Sequence, residues 1–574
     1  MDTWDLNKMY QTQEEIKEDI SSIREQLKEL SDLKKEPDNL ISIMARLENV
    51  YRLGSKLASY SNMKKDEDSR ISENQKLNLK IDGLWTEIAE KTAFFEPMLY
   101  AIDNEKMSLL LSLDEMKTYK GYIERKLRYK EHTLSQEEES ILAAVGELGQ
   151  APYNDFYSLS YADMSFPEMK TTDVKLNHAN YSKLLMESER SVRKEAFEKM
   201  YQTYGQYKNT FGSTLYGNLK YNTTTARLKK YNSTREMALF ADEVNTKVYD
   251  GLIESIHNHL PSLQKYYDIR TKRLGLDQSH MYDVYTPITS SNEEISFEEA
   301  KDMILKALKP LGDDYLQIIY KAFEENWIDI YPREGKRSGA YSGGCYDSDP
   351  YILLNYTGTL DSVFTLVHEL GHSVHSYLSR KDNAYFNSSY RIFVAEVAST
   401  FNELLLLHYL KENADNEQKR LHLLDHHLNS FKSTVFRQTM FAEFEKEIYE
   451  KTESGEGLTG DDFSKRYYDL NKYYFGDSLY IDEEISLEWA RVPHFYYGFY
   501  VYKYATGFCA ATILSEKIIH GEKGVLENYI AFLKDGGNNP PLEQLRKAGC
   551  DIENPEVLEI ALLLFDQLVK EYEI

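Results

Sequence analysis

Apolar residues recur at helical spacing through most of the chain. Ile16, Ile20, Ile23, Leu27 and Leu30 fall three or four apart, with Glu and Lys between them. That is the period of a helix burying one face. The pattern keeps no heptad for long, so it predicts a packed helical lobe and not a coiled coil. Residues 111–185 read as a smaller helical segment with mixed loops such as Gly149-Gln150-Ala151-Pro152. From about residue 186 the chain is helical again. Ser296-Phe297-Glu298-Glu299 has capping-box spacing and predicts a helix start. The expected organisation is an N-terminal helical lobe over 1–185 and a second domain over 186–574.

One interval breaks this texture. Residues 335–357, GKRSGAYSGGCYDSDPYILLNYT, are rich in glycine and end in the apolar run Tyr351-Ile352-Leu353-Leu354. They predict a loop followed by a short strand.

Composition narrows the class. At 574 residues the chain exceeds what one core fills, which implies two or more lobes. The 28 glycines and 13 prolines are few for this length and favour helices. A net charge of −26 argues against nucleic acid or an anionic membrane as partner. Cys345, Cys509 and Cys550 are odd in number and far apart, with no CxxC pair, so a reducing cytoplasm is expected. The N-terminus lacks the basic and apolar regions of a signal peptide. The least polar stretch, Phe495–Leu514, carries Lys503 and several tyrosine hydroxyls, so no transmembrane span is expected.

Residues 368–372 are His-Glu-Leu-Gly-His, on a predicted amphipathic helix from Leu360 to Arg380. His368 and His372 at i and i+4 share one face, and both imidazoles can reach one ion. Glu369 sits beside them, placed to touch a metal-bound water without ligating. This is the zinc-peptidase arrangement. Catalytic zinc takes three protein ligands and keeps one open position. Glu396, in the apolar run Ile392-Phe393-Val394-Ala395-Glu396-Val397-Ala398, is the preferred third ligand, because a buried carboxylate requires a cation partner. A salt bridge to Arg391 is the alternative for that residue. His375 shares the helix face, but three histidines within eight residues of a straight helix cannot converge on one point. Glu403, two turns beyond Glu396, is a candidate to bond a ligand imidazole or to make a surface salt bridge. Donors to a developing oxyanion are available between Pro493 and Tyr504, although 46 tyrosines in the chain make the pattern alone undecided.

The chain resembles the oligoendopeptidase F family, within the group that includes thimet oligopeptidase and neurolysin. The resemblance is carried by His368 to His375, Phe393 to Thr400, Phe436 to Glu445 and Pro493 to Gly507, and spans roughly residues 190–570. It implies a mainly α, two-lobed helical body with a deep central substrate channel and a small β-sheet beside the zinc helix. It implies one Zn2+ per chain, held by His368, His372 and Glu396, and short peptide substrates. It points to His494 and Tyr504 as transition-state donors beside the general base Glu369, with Tyr497 and Tyr500 in reserve. The thimet-type pattern has extra residues between the two donors and a Gly-Tyr ending that this sequence lacks. Tyr351–Asn355 is expected to form an edge strand near the metal, free to pair with an extended peptide.

Overall fold

The computed structural model describes residues 2–33, 35–289 and 294–574. It is mainly helical, with a single three-stranded sheet among the described residues. The chain sorts into two compact units, each assembled from three separate segments. One gathers Met1–Glu131, Asn292–Leu410 and Leu514–Cys550; the other gathers His132–Ser291, Lys411–Ile513 and Asp551–Ile574.

In the first unit, α1 (Gln13–Asp32), α2 (Leu40–Glu67) and α3 (Ser72–Thr92) pack on one another. Thr12 caps α1 by accepting the Glu15 amide. The buried residues of α1 are Ile16, Ile20, Ile23, Leu27 and Leu30, the stripe the periodicity picked out. Truncating one of them, for example Ile23→Ala, removes about 2–5 kcal/mol. Ser296 caps the helix Phe297–Ala307 in a full capping box with Glu299.

The sheet consists of β1 (Ile328–Asp329), β2 (Tyr341–Gly343) and β3 (Tyr351–Leu353), in the order β1-β3-β2. β3 runs parallel to β1 and antiparallel to β2. The expectation of an edge strand at Tyr351–Asn355 is therefore corrected: β3 is the central strand. Its Tyr351, Ile352 and Leu353 are fully buried, and Tyr351 and Leu353 join the core formed by the N-terminal helices. Both of its backbone edges are already paired, so none is left for a ligand. β2 and β1 are the edges.

β2 and β3 pack against α4 (Leu360–Asp382), which is capped by Thr359. α5 (Ile392–Glu412) follows, and α6 (Val525–Asp535) packs on α4 from late in the chain. α5 is buried on most sides, which explains its nearly continuous apolar sequence.

The second unit is built from helices that include Arg190–Gln206, Lys208–Leu228, Leu260–Arg273, Gly460–Phe475 and Pro555–Glu573. A long helical run, Glu417–Ser430 and Arg437–Glu453, is interrupted by a π-helical turn at Phe431–Phe436. Among the described residues no helix is long and apolar enough to cross a membrane.

Candidate active site

α4 carries His368, Glu369 and His372, and α5 carries Glu396 and Glu403. The two helices touch where Gly371 faces α5. A Cβ on Gly371 would lie 2.6 Å from the Ala398 carbonyl oxygen and 2.7 Å from Ser399 Cα. Only glycine permits this approach, which brings Glu396 to the imidazoles. Asn402 spans the same junction, accepting from Tyr315 at 2.9 Å and donating to the Val367 carbonyl at 3.4 Å.

One Glu396 oxygen, Oε2, lies 3.5 Å from Nε2 of His368 and 3.8 Å from Nε2 of His372. The ligand atoms of the three residues all fall within 4.8 Å of one another, so the group could hold a metal ion. Ser399 Oγ donates to the same Glu396 oxygen at 3.3 Å. His368 Nδ1 lies 2.6 Å from Oε1 of Glu403. His375 is not part of the group. Its ring is fully buried and stacks on Tyr390 at 3.6 Å, with Phe532 of α6 at 5.5 Å.

Electrostatics follow from burial among three carboxylates. Burial lowers the pKa of His368, but the hydrogen bond and charge of Glu403, with the charges of Glu369 and Glu396, overcome this and hold it at about 9. Burial and the neighbouring His368 push His372 down to about 3. Burial raises Glu369 to about 7; the charge of His368 and the Ser342 amide oppose this, while Glu396 and Glu403 reinforce it. Glu369 Oε2 is buried without a hydrogen-bond partner. β2 thus touches the site through the Ser342 amide, and Ser342 Oγ also meets Ser373 Oγ at 2.8 Å.

His494 and Tyr504 lie in the second unit and come together there, with Tyr504 Oη 3.3 Å from His494 Nε2. The chain between them turns through two left-handed residues, Gly498 (φ 64°) and Phe499 (φ 53°). Phe499 is strained in that conformation. The buried Glu445 holds it there by accepting the Phe499 amide at 2.7 Å. Lys503, on the same segment, pairs with Asp242 at 2.6 Å. Burial lowers the His494 pKa, which favours a neutral ring. Of the reserves, Tyr500 packs 5.5 Å from Tyr504, whereas Tyr497 is exposed and shares a hydrogen bond with Tyr153 at 3.2 Å.

Gly371 and Glu445 are the residues that sequence reasoning passed over. A glycine inside a helix signals close packing, and a carboxylate beside Phe441, Ala442 and Phe444 is a weaker form of the signal that singled out Glu396, because Glu443 stands in the same stretch.

Two family models match the chain: residues 184–564 fit "Peptidase family M3", and residues 99–166 fit "Oligopeptidase F". The chain belongs to peptidase family M3. As an M3 member it is a metallo-endopeptidase. The oligopeptidase PepF of Bacillus subtilis is 43% identical over 581 residues, covering 100% of this chain and 87% of that protein. A Chlamydophila abortus crystal structure superimposes with a TM-score of 0.92 at 34% identity, covering 100% of this chain and 98% of that one. The crystal structure of oligoendopeptidase-F from Enterococcus faecium, also 34% identical, gives 0.76 over 98% of each chain.

Proposed function

We propose that this M3 peptidase is a zinc-dependent oligoendopeptidase that hydrolyses internal bonds of short, unfolded peptides. The observation that carries the reading is Glu369 Oε2, a buried and unpartnered carboxylate oxygen beside the His368, His372 and Glu396 group. Two imidazole nitrogens and one carboxylate oxygen fit zinc with a position left open, as in catalytic and not structural sites. His368, His372 and Glu396 would hold the ion. When bound, zinc polarises the scissile carbonyl and acidifies a water.

The protein's own groups do the rest. Glu403 accepts a hydrogen bond from Nδ1–H of His368, which orients the ring and would leave Nε2 to face the ion once its own proton is displaced on metal binding. Glu369 accepts a proton from the attacking water at Oε2 and delivers it to the departing amine. Burial raises its pKa above the ordinary carboxylate range, which favours a group that both takes and gives a proton. His494 and Tyr504 are assigned as donors to the oxygen that gains charge as the carbonyl is attacked. Their 3.3 Å contact supports a joint role. The names of the relatives support oligopeptides as the substrate class. Cys345, Cys509 and Cys550 are buried thiols outside any disulfide, which fits a reducing cytoplasm.

The test is Glu369→Gln. It should keep its zinc, by elemental analysis, and lose about 10²–10⁴-fold in hydrolysis of a quenched fluorescent peptide. Near-normal turnover by a zinc-loaded variant would sink the mechanism. Product masses from a nine-residue peptide decide the bond position: removal of single C-terminal residues would mark a carboxypeptidase instead.

A further inference from the structure

The second unit contains a cavity of about 40 Å³ lined by none of the residues assigned a role above. Its wall carries Lys432, Arg437, Arg491, Asn471 and Glu488 among tyrosines and apolar side chains. Lys432 and Arg437 flank one ring, with Nζ 4.7 Å and Cζ 5.7 Å from the Tyr285 centroid. Arg437 and Arg491 share one oxygen of Glu488, at 2.6 and 3.6 Å. The other Glu488 oxygen accepts the Tyr467 hydroxyl at 2.5 Å. The wall therefore carries three basic side chains and one carboxylate, which pairs with the two arginines.

Neighbouring groups do not restore the balance. Arg270 pairs with Asp425 at 2.9 Å. Glu443, which accepts from Tyr474 of the wall, lies 2.8 Å from His257 and is paired with Arg466 at 3.5 Å. Hydrogen-bonding capacity is also left over. Lys432 is 7% exposed, and its hydrogen bond is a long one, 3.4 Å to the Val284 carbonyl. Nε of Arg491, a buried donor, has no partner; the unpartnered Oδ1 of Asn471 is an acceptor and takes no part in holding an anion. Burial holds Lys432 at about 7, with Arg270 lowering it further and Asp425 opposing. An adjacent anion would keep the ammonium charged.

The backbone points to the same place. Lys432 and Phe436 both line the cavity, and both belong to the π-helical turn. Such widened turns inside α-helical runs recur at functional sites.

We propose that this cavity binds a small monovalent anion of halide size, held by Lys432 Nζ together with Arg437 and Arg491. Size decides the class: one water needs about 10–15 Å³, so the cavity takes only a few solutes of that size and excludes peptides and phosphate esters. Charge agrees, because the wall carries an excess of one positive charge with Lys432 neutral and two with it protonated.

The test uses the full chain. Crystals are soaked in sodium bromide for an anomalous difference map. In parallel, Tm is followed against bromide at constant ionic strength, with gluconate, too large to enter, as the balancing anion. The expected result is a bromide peak in the cavity touching Lys432 Nζ and a saturating rise in Tm, both lost in Lys432→Met. The proposal is overturned by no peak, by a peak without a saturating rise (an adventitious ion only), or by a rise undiminished in Lys432→Met. If that variant does not fold, Lys432→Gln replaces it, and the wild-type map and titration alone still decide.

Discussion

Oε1 of Glu403 sits 2.6 Å from Nδ1 of His368, on the side of the ring away from Glu396. Partners of this kind orient metal-ligating imidazoles and typically contribute about 10–100-fold in metal affinity. Glu403→Gln is expected to weaken zinc binding by that factor while Tm of the metal-free protein changes little. Competition against a chromophoric chelator measures it. Unchanged affinity would reduce Glu403 to a surface partner.

Gly371→Ala tests the helix contact. The added Cβ meets backbone atoms of Ala398 and Ser399, which cannot rotate away, so α4 and α5 must part. Overpacking of this sort costs about 1–3 kcal/mol. The variant should melt lower and hold zinc less tightly, because Glu396 moves with α5. Wild-type Tm and metal content in Gly371→Ala would refute the account.

The sequence was most informative where one element speaks for itself. The stripe of α1, the capping box at Ser296 and the i, i+4 histidines are local patterns, and the structure reproduces the helices they imply. Pairing was less legible. Tyr351–Leu353 reads as a strand, but its partners are two and three residues long and one lies in the glycine-rich stretch. Neither is long enough to show a period, so the central position of β3 was hidden. The His494–Tyr504 contact was hidden for a related reason. It depends on the left-handed turn at Gly498 and Phe499, and a non-glycine residue gives no signal that it will adopt positive φ.

Tyr504→Phe should lower kcat more than it raises KM. The proposed hydrogen bond forms to an oxygen that is charged only in the transition state. Steady-state kinetics on one peptide separates the two constants. An unchanged kcat moves the role to Tyr500 or His494.

Acid stability has a defined source in the second unit. His427 is buried with neither ring nitrogen hydrogen-bonded, and its ring packs 5.4 Å from Phe431. Burial first, then the charge of Lys411 and His426, hold its pKa at about 3, against about 6.5 in the unfolded chain. The unfolded state therefore binds the extra proton between these values. The contribution is fully present above about pH 6.5 and is lost as pH falls towards 3. His427→Leu should flatten the fall in Tm between pH 6.5 and 4 and leave the neutral-pH Tm close to wild type. A slope equal to wild type would show that other groups set the acid limit.

The interleaving of the two units governs how the chain can be built. The metal-bearing helix α4 rests on α6, which leaves the ribosome long after it, and the second unit needs the final helix Pro555–Glu573. The first unit lacks a segment until Leu514–Cys550 has been made and the second until Asp551–Ile574 has been made, so vectorial folding of the earlier segments can complete neither on its own. Closing such distant contacts slows folding and lengthens the exposure of apolar faces such as that of α5. Nascent chains stalled before α6 should present α5 to chaperones, which makes α6 and the helix Pro555–Glu573 the segments that commit the enzyme to its folded state.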